Sequence, residues 1–301
     1  MVNITGDGNF TSKLDTVFME LPVGTVKLFL ALNIFLSIAA SLGNALILIA
    51  LHKVSSIHPP TKLFFRCLAF TDLCVGFIVQ PLYQTFLLSH ITEVNDDVVF
   101  YVYELCNVFS WILCGVSLLT STAISVDRLL ALSLGLRYRH VVTLGRVRVF
   151  IISFWLISAS LGSIRMSGSD IIFTLAAIIV PLCLMTSIFC YMKIYLRVRH
   201  QQVQVQDHVS QGQSNGGEIP LNISRYKKSV SSISWVQLAL VACYIPFGIV
   251  LVLYADGIEN DVAWIATSTL VYFNSSLNPI LYCWKIREVR QAVKNILRQL
   301  L

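Results

Sequence analysis

The chain has 301 residues, of which 56% are hydrophobic and only 13% are charged, and its formal net charge is +6. Soluble globular proteins carry about a quarter charged residues. This composition therefore excludes an ordinary soluble domain and predicts a membrane protein. In a membrane protein the positive charge is a signal of orientation, and we do not interpret it as nucleic-acid binding.

Seven apolar runs are long enough, or nearly so, to cross a bilayer as helices. The second run contains a single acid, Asp72. The fourth has only 16 residues, and it could span by snorkelling of Arg148 at its end or by local thinning of the bilayer. No run shows the alternation of a spanning β-strand. The predicted fold class is an all-α membrane protein, a seven-transmembrane helix bundle. Its spans are 28–51, 67–89, 105–126, 149–164, 171–192, 229–255 and 262–284.

The basic residues indicate how the bundle is oriented. Of the 22 lysines and arginines, only Lys13, Lys27 and Arg165 fall on the side of the N-terminus. Because cytoplasmic loops carry the excess of basic residues, this distribution predicts an extracellular N-terminus and a cytoplasmic C-terminus. The expected location is the plasma membrane, with the lipid bilayer as an obligate partner.

The outer tail carries two glycosylation sequons, "NIT" at Asn3 and "NFT" at Asn9. Both would be accessible to glycosylation if the N-terminus is outside. A third sequon at Asn222 falls on the cytoplasmic side and should not be modified.

Four segments organise the chain. We expect an extracellular tail over 1–25, the seven-helix domain over 26–284, a flexible cytoplasmic loop rich in Gln, Ser and Gly over 198–226, and an amphipathic helix on the membrane surface over 285–301. In the last segment the apolar residues recur at helical spacing, at Ile286, Val289, Val293, Ile296, Leu297 and Leu300.

The seventh span is unusually polar. Asn274, Asn278 and Tyr282 are spaced four apart and form one stripe on the helix. Pro279 cannot donate to the carbonyl of Ser275, so the helix should kink there. A polar stripe beside a kink must face the bundle interior or water.

Other polar residues belong to the same interior. Asp72 is the lone acid of the second span, and Ser117 and Arg128 share one face of the third span. Pro246 predicts a second kink, which frees the carbonyl of Ala242. Five side chains can converge on one buried site suited to a hard cation such as Na⁺, or to a proton: Asp72, Ser117, Asn274, Ser275 and Asn278. The alternative is a hydrogen-bond network without an ion.

Six motifs resemble the rhodopsin-like family of G-protein-coupled receptors, each on the appropriate span. They are "GN" at 43–44, "LAFTD" at 68–72, "DRLLALSLGLRY" at 127–138, Trp155, "CYIP" at 243–246 and "NPILY" at 278–282. The resemblance covers the whole chain except the outer tail and the long inner loop. It implies a seven-helix receptor that passes an extracellular signal to a heterotrimeric G protein and is not an enzyme.

The resemblance also implies residue roles. Asp127 and Arg128 would restrain the inner end of the third helix until Arg128 meets the G protein. Tyr191 and Tyr282 would swing inward in the open state, and Tyr244 would replace the family's usual sixth-span tryptophan. Pro246 and Pro279 would supply the hinges. The five polar residues around Asp72 match the family's sodium pocket, and sodium is the only cofactor that the resemblance suggests.

Several departures bear on the branch of the family. In the family, an outer disulfide usually joins a cysteine of the third span to the second outer loop. This chain has Tyr103 at the third-span position, and its second outer loop contains no cysteine that could pair with Cys106, so no disulfide is expected there. Tyr226 lies where the family usually has the sixth-span acid that would pair with Arg128, so that acid is missing here. The short second outer loop resembles the melanocortin, lipid and cannabinoid receptors, whereas "YCWKIREVRQ" resembles adenosine receptors.

No ligand is identified by the sequence. Where amine receptors carry an aspartate this chain has Ser110, where opsins carry the retinal lysine it has Tyr272, and where adenosine receptors use an asparagine it has Leu251. The candidate pocket residues by position are Ser110, Cys114, Phe247 and Tyr272.

We interpret the chain as a G-protein-coupled receptor for an unknown extracellular ligand. A secondary transporter would require inverted repeats and broken helices, and no matching halves are found. A light-sensing pigment would require the missing lysine. A non-signalling receptor relative stays open, because "DRL" and Tyr244 depart from the family pattern.

Overall fold

The computed structural model describes residues 22–92, 94–166, 171–210, 238–258 and 260–300. Every regular element in these ranges is helical. The long helices are α1 (Val23–Lys53), α2 (Pro59–Ser89), α3 (Asp96–Leu134), α4 (Leu144–Met166), α5 (Ile171–Ser210), α6 (Leu238–Ala255), α7 (Asp261–Lys285) and α8 (Arg287–Leu300). A 3-10 turn (Gly135–Arg137) and a short helix (Tyr138–Val141) follow α3. This arrangement confirms the predicted all-α fold class.

Among the described helices, α1 to α6 are long and apolar enough to cross a membrane by length and composition alone. Helix α7 has 25 residues, which is also sufficient length. Its mean hydropathy is lower than that of the other six, because its buried positions include many hydroxyl and amide side chains: Thr267, Ser268, Thr269, Asn274, Ser275, Ser276 and Asn278. A bundle that encloses α7 can accept these groups, whereas lipid could not.

Local signals set several helix ends. The side chain of Asn95 accepts a hydrogen bond from the backbone N–H of Asp97 at 2.9 Å and caps α3. Asn260 caps α7 in the same way through Ala263 at 2.8 Å. Helix α3 ends at Leu134, and the next residue, Gly135, has a φ of +52°, a positive value that glycine tolerates because it has no Cβ.

Helix α2 contains a π-turn at Val75–Val79, which the sequence did not predict. The carbonyl of Gly76 in this turn accepts a hydrogen bond of 2.7 Å from the Ser37 hydroxyl of α1. A Cβ at Gly76 would come within 2.8 Å of the Ser41 side chain. Close approach of α1 therefore depends on this glycine, and the π-turn reorients the outer half of α2.

Two helices organise the packing. Helix α3 contacts α2, α4 and α5, and α7 packs mainly against α1. We call the half of the bundle beside α8 the inner half and the opposite half the outer half. The inner half contains an apolar cluster that includes Phe64, Leu68 and Tyr282. The outer half contains two further clusters on either side of α3. Helix α3 is thus in a position to connect the outer and inner ends.

Two predicted segments differ from the structure. Helix α4 begins at Leu144 and has 23 residues, since the polar stretch around Arg146 and Arg148 continues the helix beyond the apolar run. Helix α5 continues to Ser210, so residues 198–210 of the expected flexible loop are helical. No glycine or proline interrupts this stretch before Gly212. The remainder of that loop, with Asn222 and Tyr226, lies outside the described residues, as do Asn3 and Asn9.

Helix α8 is amphipathic, as predicted. Val289, Val293 and Ile296 are buried against the inner cluster, and Leu297 is 41% exposed. The basic residues Arg287, Arg290, Lys294 and Arg298 are exposed. The apolar face thus packs chiefly on the protein, while the basic face suits an anionic membrane surface.

Candidate functional site

The acid of α2 lies at the centre of a buried polar site. Asp72 is fully buried. Its Oδ1 accepts hydrogen bonds from the hydroxyls of Ser117 on α3 (3.0 Å) and Ser275 on α7 (2.8 Å). Its Oδ2 accepts from the side-chain amide of Asn278 at 2.6 Å. One carboxylate therefore joins three helices.

The backbone carbonyl that Pro279 leaves unpaired in α7 accepts a hydrogen bond from a side chain of α1. Pro279 leaves the carbonyl of Ser275 without its helical donor, and the Asn44 amide donates to that oxygen at 3.0 Å. A Cβ on Gly43 would lie 2.8 Å from the Pro279 ring. The dipeptide "GN" of α1 thus has a physical explanation: Gly43 makes room for the proline ring and Asn44 replaces the lost hydrogen bond.

Four of the five predicted cation-site residues are in direct hydrogen-bond contact, with Asp72 as the common acceptor. Asn274 is buried one turn before Asn278 but is not one of the donors to Asp72. The site offers a carboxylate and neutral hydroxyl and amide oxygens, which are ligands suited to a hard monovalent cation. No cationic side chain bonds to Asp72 among the described residues, so the donor set fits Na⁺.

A second polar group lies at the inner end of α3. Asp127 accepts hydrogen bonds from the phenol of Tyr138 at 2.6 Å and from the hydroxyl of Thr61 at 3.0 Å. The Arg128 guanidinium approaches the same carboxylate at 3.4 Å. The two neutral donors therefore hold Asp127 more closely than its charged neighbour does.

Arg128 is loosely held. Its guanidinium lies 5.7 Å from the centre of the Phe65 ring, and its side chain is 23% exposed. Its buried Nε has no hydrogen-bond partner among the described residues. A loosely held, partly exposed arginine can leave Asp127 at small cost, because Thr61 and Tyr138 remain.

The two predicted switch tyrosines pack against different neighbours. Tyr191 contacts Tyr195 on its own helix, with ring centres 6.4 Å apart. Tyr282 packs edge-on against Phe65 at 5.2 Å, and its buried hydroxyl has no partner in the described structure. An unsatisfied phenol at this depth is available for a new hydrogen bond if the helices move.

An outer cavity of about 90 Å³ lies between α2, α3, α4, α5, α6 and α7. The candidate pocket residues Ser110, Cys114, Phe247 and Tyr272 all line it. Ser110 and Tyr272 are joined by a hydrogen bond of 3.0 Å. Tyr244 forms part of the lining and its hydroxyl lies 3.5 Å from the Cys114 carbonyl.

The outer end of α3 carries an ion pair and a buried thiol. Arg165 of α4 donates to Glu104 of α3 at 3.1 Å. Cys106 is a free cysteine, 4% exposed, whose sulfur lies 3.7 Å from the Val79 carbonyl. The thiol therefore faces α2 and the cavity. The Glu104–Arg165 ion pair links α3 to α4 near the family's usual disulfide position, where the sequence predicted no disulfide.

Three residues of these sites were not predicted as site residues: Asn44, Thr61 and Tyr138. Asn44 and Tyr138 did stand inside the motifs "GN" and "DRLLALSLGLRY", so a signal was present for both. Thr61 had none, because a single threonine after "HPP" is common at a helix start.

Comparison with known proteins assigns the family. The model of the 7 transmembrane receptor (rhodopsin family) matches residues 43–170 and 165–282. The chain is similar to adenosine receptor A3 of Ovis aries, with 25% identity over 90% of this chain and 89% of the relative. It is also similar to adenosine receptor A2a of Canis lupus familiaris (23% identity, 90% and 72%) and of Homo sapiens (22%, 92% and 74%). These relatives are receptors and not enzymes. The chain therefore belongs to the rhodopsin family of seven-transmembrane, G-protein-coupled receptors, as its motifs indicated.

Proposed function

We propose that the protein is a plasma-membrane receptor with its N-terminus outside, which binds an extracellular ligand in the outer cavity and activates a heterotrimeric G protein at its inner end. One observation supports this most directly. A single helix, α3, supplies Ser110 and Cys114 to the cavity, Ser117 to the Asp72 site, and Arg128 to the inner end. At 1.5 Å per residue, Cys114 and Arg128 are separated by roughly 21 Å along the helix.

The mechanism requires two states with different ligand affinity. A ligand shifts such an equilibrium only by its difference in affinity for the two states. Tyr244 lies in the cavity lining, and the sixth-span hinge at Pro246 is two residues further along. Contact at Tyr244 would move the inner part of α6 about this hinge and open access to Arg128.

The Asp72 site would act as the resting-state lock. A sodium ion held by Asp72, Ser117 and Ser275 would favour the packing of α2, α3 and α7 seen here. Opening at Pro279 would separate these oxygens, so sodium would oppose activation.

Adenosine is not the ligand that we propose, although the relatives are adenosine receptors. The position of the sixth-span asparagine implied by the resemblance is Leu251, which is fully buried and does not line the cavity. A purine requires paired donors and acceptors, and leaving them unpaired in a buried site is costly.

The orientation is testable through glycosylation. We expect glycans on Asn3 and Asn9 and none on Asn222. Glycosidase treatment of the expressed full chain should increase its gel mobility, and the double change Asn3→Gln and Asn9→Gln should abolish this shift. Asn222→Gln is the matched control and should leave the shift intact. A shift that depends on Asn222 alone would reverse the orientation.

G-protein coupling is tested by nucleotide exchange. The full chain in lipid nanodiscs should accelerate GTPγS binding to at least one of the four classes of heterotrimeric G protein above the level of empty nanodiscs. Each class is presented separately in sodium-free buffer, which favours the active state. Absence of exchange with every class would favour the non-signalling relative.

A further inference from the structure

The charge of the outer cavity restricts the ligand. The described residues that line it include no Asp, Glu, Lys, Arg or His. Glu104 of α3, next in sequence to the lining residue Tyr103, is paired with Arg165 of α4 at 3.1 Å. An ammonium or carboxylate ligand would therefore enter without a counter-charge, which is strongly unfavourable in a buried site.

The uncharged lining of the cavity favours a ligand that contains a ring. Eight of the 23 lining residues are aromatic: Tyr83, Phe86, Tyr103, Trp111, Tyr244, Phe247, Trp264 and Tyr272. Their faces and edges offer stacked and edge-to-face contacts to a flat or alicyclic ring.

Three polar atoms of lining residues are available for orientation. The Ser158 hydroxyl is buried without a hydrogen-bond partner in the described parts of the chain. The Tyr83 hydroxyl and the Asn107 side-chain nitrogen are also buried, and their polar neighbours Thr269 and Tyr103 lie outside good hydrogen-bond geometry. Buried groups of this kind are normally satisfied by water or by a ligand. One hydroxyl or carbonyl oxygen on the ligand could pair with any of them, because two are hydroxyls and the third is a donor.

We propose that the outer cavity binds an uncharged ring compound that carries a hydroxyl or carbonyl group. This inference rests on the proposed use of the cavity as the ligand site. It distinguishes the receptor from those that bind charged amines, carboxylates or peptides, and from those that bind a polar nucleoside.

The test uses three probes with one scaffold: 2-phenylethanol, phenethylamine and phenylacetate. Binding to the full chain in nanodiscs is measured by saturation-transfer NMR and by thermal unfolding, with empty nanodiscs as the control for partitioning into lipid. We expect the alcohol to bind at least about tenfold more tightly than either ion, because only the ions lose hydration without gaining a partner. Equal or tighter binding of the amine or of the acid would overturn the inference.

Two substitutions test whether the alcohol binds in the cavity. Tyr83→Phe removes only a hydroxyl and should weaken 2-phenylethanol while leaving ethylbenzene unaffected. Tyr101→Phe is the matched control, since Tyr101 is 65% exposed. Ser110→Asp introduces a carboxylate beside Tyr272 and should transfer the preference to phenethylamine, whereas the neutral Ser110→Asn should not.

Failure of this inference can be separated from failure of the proposed function. If the alcohol does not bind at millimolar concentration, the ligand class is wrong. Nucleotide exchange by the same preparation, without ligand, still reports coupling to the G protein. If Ser110→Asp does not fold, the Tyr83→Phe comparison alone decides whether the alcohol occupies the cavity.

Discussion

Arg128→Ala is expected to abolish acceleration of nucleotide exchange while the receptor still reaches the cell surface. Surface delivery should survive because Asp127 keeps its hydrogen bonds from Tyr138 (2.6 Å) and Thr61 (3.0 Å). Arg128 contributes only a 3.4 Å ion-pair contact and a contact with the Phe65 ring. The buried end of α3 therefore remains satisfied without it.

The loss of coupling follows from the role proposed for the arginine. Hydrogen bonds from a charged group contribute about 1.5–3 kcal/mol each, which corresponds to roughly a tenfold to hundredfold change in the affinity of a complex. Exchange should be measured in nanodiscs that contain equal amounts of receptor, with the G protein class to which the wild type couples. It should fall to the level of empty nanodiscs.

Two matched variants make this result specific. Arg148→Ala removes the same charge from an exposed position on α4 and should leave exchange near wild type. Arg128→Lys keeps the charge but loses the planar donor group, so intermediate exchange is expected. Undiminished exchange by Arg128→Ala would show that the family's coupling mechanism does not operate in this chain.

The parts of the molecule that were predictable are those governed by local chemistry. The apolar runs predicted the membrane spans. The four-residue spacing of Asn274, Asn278 and Tyr282 predicted the buried face of α7. Pro279 also predicted a free carbonyl at Ser275. These features depend on residues within one or two helical turns of each other, so the sequence alone contains them.

Long-range contacts were not predictable in the same way. The donor for the Ser275 carbonyl is Asn44, which is 231 residues away in the chain. Tyr138 and Thr61 meet Asp127 from two different segments. Nothing in a single sequence specifies such pairings, because they depend on how the helices pack. The π-turn of α2 was missed for a related reason, since the capture of the Gly76 carbonyl by Ser37 occurs only in the packed bundle.

Asp72→Asn is expected to abolish the sensitivity of the receptor to sodium without unfolding it. Asparagine has the same shape, and its oxygen can still accept from Ser117 and Ser275. Its amide group would face Asn278, whose side chain can turn to present its oxygen. The hydrogen-bonded connection of α2, α3 and α7 would survive, whereas the charge that attracts a cation would be lost.

In the wild type, sodium should suppress basal exchange. The hydroxyls of Ser117 and Ser275 donate their protons to Asp72, so their lone pairs remain available to a cation. Allosteric couplings are typically about 1–3 kcal/mol, so basal exchange should fall by roughly fivefold or more when NaCl replaces N-methyl-glucamine chloride at equal ionic strength. The matched chloride salts separate binding of sodium from general screening.

Neighbouring serines on α7 supply the control that decides between an ion site and a purely structural network. Ser275 bonds to Asp72 at 2.8 Å, whereas the hydroxyl of Ser276 bonds to the Leu36 carbonyl of α1 at 3.0 Å. Ser275→Ala should therefore weaken the sodium response and Ser276→Ala should leave it intact, although each removes one buried hydroxyl. If wild-type exchange is the same in both salts, Asp72 is a hydrogen-bonded hinge and not a cation site. If Ser276→Ala lowers the response as much as Ser275→Ala, the effect comes from loosened packing of α7, because only Ser275 lies within reach of an ion held by Asp72.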